Sequence, residues 1–233
     1  MLSIENLTKR FGGLTAVDQV SMTIVGLMGP NGSGKSTFTN CVSGVYAPNS
    51  GTVRFNEIDV TGRATYKNAR DGLARTFQTP RVFEELTVLE NVTVPLLNTD
   101  QSDEAIDEKA RSMIEAVDLS HVIEQKAKQL SGGQKKLVEF ARNMMRDPAL
   151  VLMDEPFAGV HPEIKETMFE RIEALNEHGT EFLVVSHEVD SLYSISDRIV
   201  VFDQGKRIAS GLPAKIQQND RVVEAYLGEE VIA

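Results

Sequence analysis

Nine residues near the start of the chain, Gly29-Pro30-Asn31-Gly32-Ser33-Gly34-Lys35-Ser36-Thr37, fit the pattern G-x-x-x-x-G-K-[ST] and could cradle the phosphates of a nucleotide. Glycines let the backbone turn so that several N–H groups point inward. A helix starting near Gly34 adds its positive end. Lys35 supplies a point charge and Ser36 a hydroxyl for Mg²⁺. A second glycine-rich segment, Leu130-Ser131-Gly132-Gly133-Gln134, lies far along the chain and offers more backbone donors at a helix start. Ser-Gly-Gly alone is an ordinary turn, so its weight comes from position; two half-sites for one nucleotide imply a dimer as the working unit. Two carboxylates, Asp154 and Glu155, end the apolar run Ala149-Leu150-Val151-Leu152-Met153. Successive strand residues face opposite ways. Asp154 is therefore assigned to Mg²⁺ and Glu155 to the base that polarises an attacking water, against the alternative of two carboxylates capping the next turn.

The elements that must position these groups are legible around them. Val25-Gly26-Leu27-Met28 reads as a buried strand feeding the first cradle, and the helix after it ends near Gly44. Ala47-Pro48-Asn49-Ser50-Gly51 then turns the chain into the strand Thr52-Val53-Arg54-Phe55, which completes the first half of the nucleotide core. The run from Ala149 follows Asp147-Pro148 and reads as a central parallel strand buried on both faces. Further strands are expected at Phe182-Leu183-Val184-Val185-Ser186 and Ile199-Val200-Val201-Phe202. From about Thr79 to Arg146 the pattern turns helical, with Ile106, Ala110, Met113 and Val117 at helical spacing after the acidic first turn Asp103-Glu104. The second cradle runs into Lys135 and Lys136 and the helical set Leu137, Val138, Phe140, Ala141. Residues 1–24 read as an N-terminal β portion. The expected organisation is one nucleotide-binding domain, 1–233, with a core of 1–78 and 147–233 and a helical subdomain, 79–146, inserted between the two phosphate-handling strands.

At 233 residues and 41% hydrophobic content, the chain can bury a full α/β core and a smaller subdomain. Its formal charge of -10 argues against a nucleic-acid partner held by electrostatics, which needs a basic face. The single Cys41 excludes an internal disulfide framework. No apolar run approaches the roughly 18 residues of a membrane span and the N-terminus lacks a signal-peptide pattern, so membrane association would come through a partner.

With residues 29–37, 130–134 and 150–155 in hand, the chain closely resembles the ATPase subunit of ATP-binding-cassette (ABC) transporters over essentially its whole length. The resemblance implies an α/β P-loop NTPase (RecA-like) core with an N-terminal antiparallel β portion and an inserted helical subdomain. It implies ATP and Mg²⁺ as ligands, and a partner that is a second copy of this chain or a paralogous subunit. In that family Ser131, Gly132, Gly133 and Gln134 would contact the γ-phosphate of ATP held by residues 29–37 of the opposite subunit; binding closes the dimer and hydrolysis reopens it. Gln78, in Arg75-Thr76-Phe77-Gln78-Thr79-Pro80, resembles the glutamine that touches Mg²⁺ or water and senses the permease. His187 resembles the histidine that contacts the γ-phosphate and orients water, although a lone His at a strand end is more often structural. Catalytic roles thus fall to Glu155, His187, Gln78 and Lys35, and metal contacts to Ser36, Gln78 and Asp154. Phe11 sits where the family stacks an aromatic on adenine; a buried core Phe is the competing reading.

Two departures from the family stand out. His161 occupies a position usually held by an aspartate that passes between subunits, and a structural role preceding Pro162 is favoured, ahead of the helix bearing Ile164, Met168, Ile172 and Leu175. Val20-Ser21-Met22-Thr23-Ile24 runs into Val25 without turn chemistry where the family has a short hairpin. Several residues are therefore expected to be absent between Ile24 and Val25, by omission or deletion; an intact link would mean a re-registered strand.

Residues 78–92 fall where the family forms a groove for a permease helix, although Val82, Phe83, Leu86 and Leu89 could equally build the subdomain core. Gly72-Leu73-Ala74-Arg75-Thr76-Phe77-Gln78, Leu86-Thr87-Val88-Leu89-Glu90-Asn91 and Ala225-Tyr226-Leu227-Gly228-Glu229-Glu230 most resemble branched-chain amino acid importers. The resemblance then implies peripheral attachment to the cytoplasmic face of the membrane. Lipopolysaccharide-export ATPases are close relatives, a cytosolic ABC-type ATPase without a permease is the competing class, and a non-hydrolysing regulatory subunit is opposed by the Asp154-Glu155 pair.

Overall fold

Side chains alternate in direction along the central strands, and that alternation builds the molecule in layers. The computed structural model describes residues 2–22 and 26–230. Among the described residues, one sheet has the order β10-β9-β3-β8-β7-β6, formed by β3 (Gly26–Met28), β6 (Leu73–Arg75), β7 (Leu150–Asp154), β8 (Glu181–Val185), β9 (Ile199–Asp203) and β10 (Lys206–Gly211). All neighbours pair in parallel except the edge strand β10. Leu27, Leu150, Leu152, Leu183, Val185, Val200 and Phe202 form one apolar layer with Phe38, Cys41 and Val42 of α1 (Lys35–Ser43). Val151, Met153, Phe182, Val184, Ile199 and Val201 join the opposite layer. Both faces are covered, which is why these strands read as unbroken apolar runs.

A second sheet, of order β2-β1-β4-β5, is antiparallel and formed by β1 (Leu2–Phe11), β2 (Leu14–Met22), β4 (Ser50–Phe55) and β5 (Ile58–Asp59). The strand expected at residues 52–55 is therefore present but pairs with β1, with Ile4 opposite Val53, rather than extending the parallel sheet. Pairing there satisfies the backbone of the open edge of β1, and Val53 and Phe55 reach the layer shared with α1 while Arg54 faces water. After α2 (Thr65–Arg70), the chain returns to the parallel sheet through β6.

Between β6 and β7 lie α3 (Val88–Thr93), α4 (Asp103–Ala116) and α5 (Gly132–Met144). Ile106, Ala110 and Ile114 of α4 and Leu137, Val138, Phe140, Ala141 and Met144 of α5 join the same layer as Val151 and Met153. Parallel strands need a return path, so a crossover helix starts at the edge where those strands end. Both α1 and α5 obey this, and both glycine-rich segments consequently sit toward one edge of the sheet. The chain closes with α6 (Pro162–Glu177), α7 (Val189–Ile195), α8 (Pro213–Gln217) and α9 (Asp220–Glu230). Met168 and Ile172 of α6 are buried and Ile164 and Leu175 pack beside them, the face its spacing marks. The junction expected between Ile24 and Val25 lies outside the described residues.

Candidate active site

The loop between β3 and α1 holds its shape because three of its residues lack a Cβ. Gly29, Gly32 and Gly34 have φ of 153°, 76° and 101°. A Cβ on Gly34 would lie 2.1 Å from the Ala16 carbonyl oxygen, and one on Gly29 would lie 2.2 Å from that of Phe202. The backbone of the loop thus presses against both sheets. Lys35 Nζ curls back to donate to the carbonyls of Gly29 at 2.5 Å and Pro30 at 2.9 Å. The Ser33 hydroxyl oxygen is buried without a hydrogen-bond partner, as in a cradle that a phosphate would complete.

Asp154 ends β7 and is buried. Burial raises its carboxyl above the ordinary value, opposed by the charge of Arg75. Arg75 Nη2 lies 3.4 Å from Asp154 Oδ2, and its Nη1 donates to Asn40 Oδ1 and Ser43 Oγ, each at 2.7 Å. The sequence alone gives Arg75 no role; its place three residues before Gln78 is the available signal.

Glu155 is a non-glycine residue at φ 49°, a conformation that its surroundings must hold. Its N–H donates to the Val185 carbonyl at 2.8 Å, its Oε2 accepts from Ser186 Oγ at 2.9 Å, and its Oε1 accepts from the His187 N–H at 3.0 Å. His187 Nδ1 lies 2.9 Å from Glu155 Oε2. The adjacency of β7 and β8 brings these residues together, a pairing with no local sequence signal.

Gln78 lies exposed on a segment hung from α5. Buried Glu139 accepts from the N–H of Phe77 at 3.3 Å and of Arg81 at 3.0 Å, and Arg142 donates to the Arg81 carbonyl. One cleft of about 800 Å³ is lined by Phe11, Asn31, Gly32, Ser33, Gly34, Lys35, Ser36, Thr37, Gln78, Asp154, Glu155 and His187. Phe11 is 45% exposed and meets Tyr46 edge-on at 5.5 Å, so it is not a core residue. Gly29 and Pro30 form the base of the loop and bind the lysine.

Ser131, Gly132, Gly133 and Gln134 do not line this cleft within one chain. Ser131 caps α5 instead: its hydroxyl accepts from the Gln134 N–H at 3.2 Å, while Gln134 Oε1 accepts from the Ser131 N–H at 3.0 Å. The reciprocal cap leaves Gly132 facing open space. His161 stands just before Pro162 at the start of α6 and is exposed, 3.8 Å from Glu163.

Residues 18–158 match the family described as ABC transporter. The chain belongs to the ABC transporter family. Residues 206–232 of the cassette also match the family described as Branched-chain amino acid ATP-binding cassette transporter. Over 247 residues, covering 99% of the chain and 96% of the relative, it is 39% identical to the probable branched-chain amino acid transport ATP-binding protein LivG of Archaeoglobus fulgidus. It is similar to a nucleotide-free ATP-binding cassette from an ABC transporter, with TM-score 0.87, 36% identity, and coverage of 97% of this chain and 98% of that one. An ATP-binding cassette solved as a dimer in a post-hydrolysis state with ADP and Pi matches with TM-score 0.83 and 28% identity, covering 91% of this chain and 99% of that one. The cassette is a nucleotide-binding α/β ATPase with the P-loop fold and inserted helices that the resemblance implied.

Proposed function

We propose that this cassette hydrolyses ATP to drive branched-chain amino acid uptake through a separate permease, and that it works as a dimer, with a second copy or a paralogue, in which each nucleotide is shared between protomers. The observation that carries the proposal is the divided phosphate chemistry: one cleft gathers Lys35, Gln78, Asp154, Glu155 and His187, while the capped glycine segment at Ser131 stands apart, with Gly132 open to a partner. The likeness of residues 206–232 and of nearly the whole chain to branched-chain amino acid cassettes supports the cargo.

Residues 29–37 are assigned to the phosphates and Phe11 to the adenine face. Ser36, Asp154 and Gln78 supply hydroxyl, carboxylate and amide oxygens, a hard-donor set with a single carboxylate that suits Mg²⁺ shared with substrate phosphates. Bound there, Mg²⁺ would offset charge on the phosphoryl oxygens. Glu155 takes the proton of the attacking water, and its aim is fixed by Ser186 and the His187 backbone. The His187 ring orients that water. Lys35 exchanges its carbonyl partners for phosphate oxygens, which keeps the ammonium hydrogen-bonded in both states.

Residues 79–146 act as the arm that meets the permease. A cavity of about 770 Å³ opens beside Gln78, lined by Phe77, Thr79, Arg81, Arg142 and Arg146 among others. Within residues 78–92, Val82 and Leu89 pack on the interior layer, whereas Phe83 is 49% exposed and free to meet a partner helix. No helix among the described residues is long and apolar enough to cross a membrane. Peripheral attachment at the cytoplasmic face through the permease follows from this reading.

Complementation between inactive chains tests the shared site. Lys35→Ala removes the phosphate lysine and Gly132→Asp blocks the glycine segment, so each homodimer should be inactive. Mixing the two should restore ATP hydrolysis in heterodimers, which hold one intact composite site. No recovery on mixing would show that each chain works alone.

A further inference from the structure

Lys136 lies one helical turn beyond the cap of α5, and its ammonium is spent entirely on the turn that begins at Glu155. Nζ donates to the carbonyls of Glu155 at 3.0 Å, Pro156 at 3.2 Å and Ala158 at 2.8 Å. An ammonium has three donors, and here three backbone acceptors of one turn take them. The turn has reason to need a clasp. Glu155 sits at φ 49°, and the carbonyl held by Lys136 belongs to that same residue. Its N–H is tied to Val185 on the other side, so the peptide groups flanking its Cα are fixed from β8 and from α5. The start of α5 also lies close against α6 just past this turn, since a Cβ on Gly133 would lie 2.8 Å from Ile164 Cδ1.

We propose that Lys136 is a positioning residue for Glu155: it holds the carboxylate's backbone in its left-handed conformation from the helix whose N-terminus meets the nucleotide of the other protomer. The inference rests on the shared-site reading above. Its consequence is directional. The ATP that α5 touches belongs to one site, while the carboxylate that α5 steadies belongs to the other, so occupancy of one site is communicated to the hydrolytic geometry of the next.

The alternative is that Lys136 merely anchors α5, in which case its loss would displace Ser131 and harm the site across the interface. Lys136→Met keeps the aliphatic stem and removes the donors. The first measurement is made on the homodimer: turnover should fall about tenfold or more with nucleotide affinity within twofold of the parent, and Lys136→Arg, which retains N–H donors, should recover much of it. The second uses the heterodimer of Lys35→Ala and Gly132→Asp chains, with Lys136→Met placed in one chain at a time. The fall in turnover should follow the Gly132→Asp chain, which carries the working phosphate loop and Glu155. A fall that follows the Lys35→Ala chain instead, or equal turnover for Lys136→Met and the parent homodimer, would overturn the proposal. Heterodimers inactive before Lys136 is altered would refute the shared-site reading alone, and the homodimer turnover and affinity would then decide the role of Lys136. Should Lys136→Met fail to fold, Lys136→Gln provides the same comparison with a single terminal amide.

Discussion

His187 holds Glu155 twice, through a backbone N–H that donates to Oε1 at 3.0 Å and a ring nitrogen, Nδ1, 2.9 Å from Oε2. The two contacts separate aim from chemistry, because only the second depends on the side chain. His187→Ala should therefore leave Glu155 placed and still depress ATP hydrolysis, by a smaller factor than removal of the carboxylate. The ring is 52% exposed, so the change in stability should stay within about 0.5 kcal/mol. Phosphate release and thermal melting measured together test both parts.

Glu155→Gln keeps size and one acceptor oxygen but removes the charge proposed to take the proton of the attacking water. ATP binding should persist while turnover falls by roughly 10²- to 10⁴-fold, or about 3–5 kcal/mol of barrier. Phosphate release at saturating ATP, set against equilibrium nucleotide binding, checks this; turnover at the parent rate would remove Glu155 from its role.

Gly34 carries φ 101° and has no room for a methyl group, which would lie 2.1 Å from the Ala16 carbonyl oxygen. Gly34→Ala should reshape the loop and abolish nucleotide binding while leaving most of the fold, since both apolar layers are untouched. Loss of binding in calorimetry with a far-UV spectrum like the parent's is the expected pair of results.

Glu139 gives a pH signature. Burial is the largest influence on its carboxyl and holds it above the ordinary value of 4.5, against the Arg81 and Phe77 N–H groups and Arg142. The folded protein therefore binds this proton more readily than the unfolded chain. The stability so gained is fully present below about pH 4.5 and is lost as pH rises through the raised folded value. Glu139→Gln should flatten that part of the stability curve. Denaturant unfolding at a series of pH values from mildly acidic to neutral measures the slope; an unchanged slope would assign the pH dependence to other groups.

The groups proposed to handle the nucleotide are legible because their chemistry is local: Gly29 to Ser36 and Asp154-Glu155 are recognisable by spacing, and the buried parallel strands announce themselves as apolar runs. What escaped was long-range. β6 is only three residues, too short to show periodicity, and nothing within residues 50–55 says that they pair with β1. Arg75 and Lys136 take their partners from α1 and β7 and from the turn after β7, at separations no window of sequence connects. Phe11 illustrates the converse, since the core reading and the cleft reading differ only in exposure, which the β1–β2 turn decides.

Ile4 and Val53 of the antiparallel sheet share one apolar layer with Phe38 of α1. The sheet that carries Phe11 and the helix that carries Lys35 are thereby locked at a set separation, like the jaws of a gauge closed before the workpiece arrives. On the proposed assignment of Phe11 to adenine and Lys35 to phosphate, discrimination between a full nucleotide and a bare triphosphate or nucleoside would be a matter of length, measured by a span that the interior has already tightened.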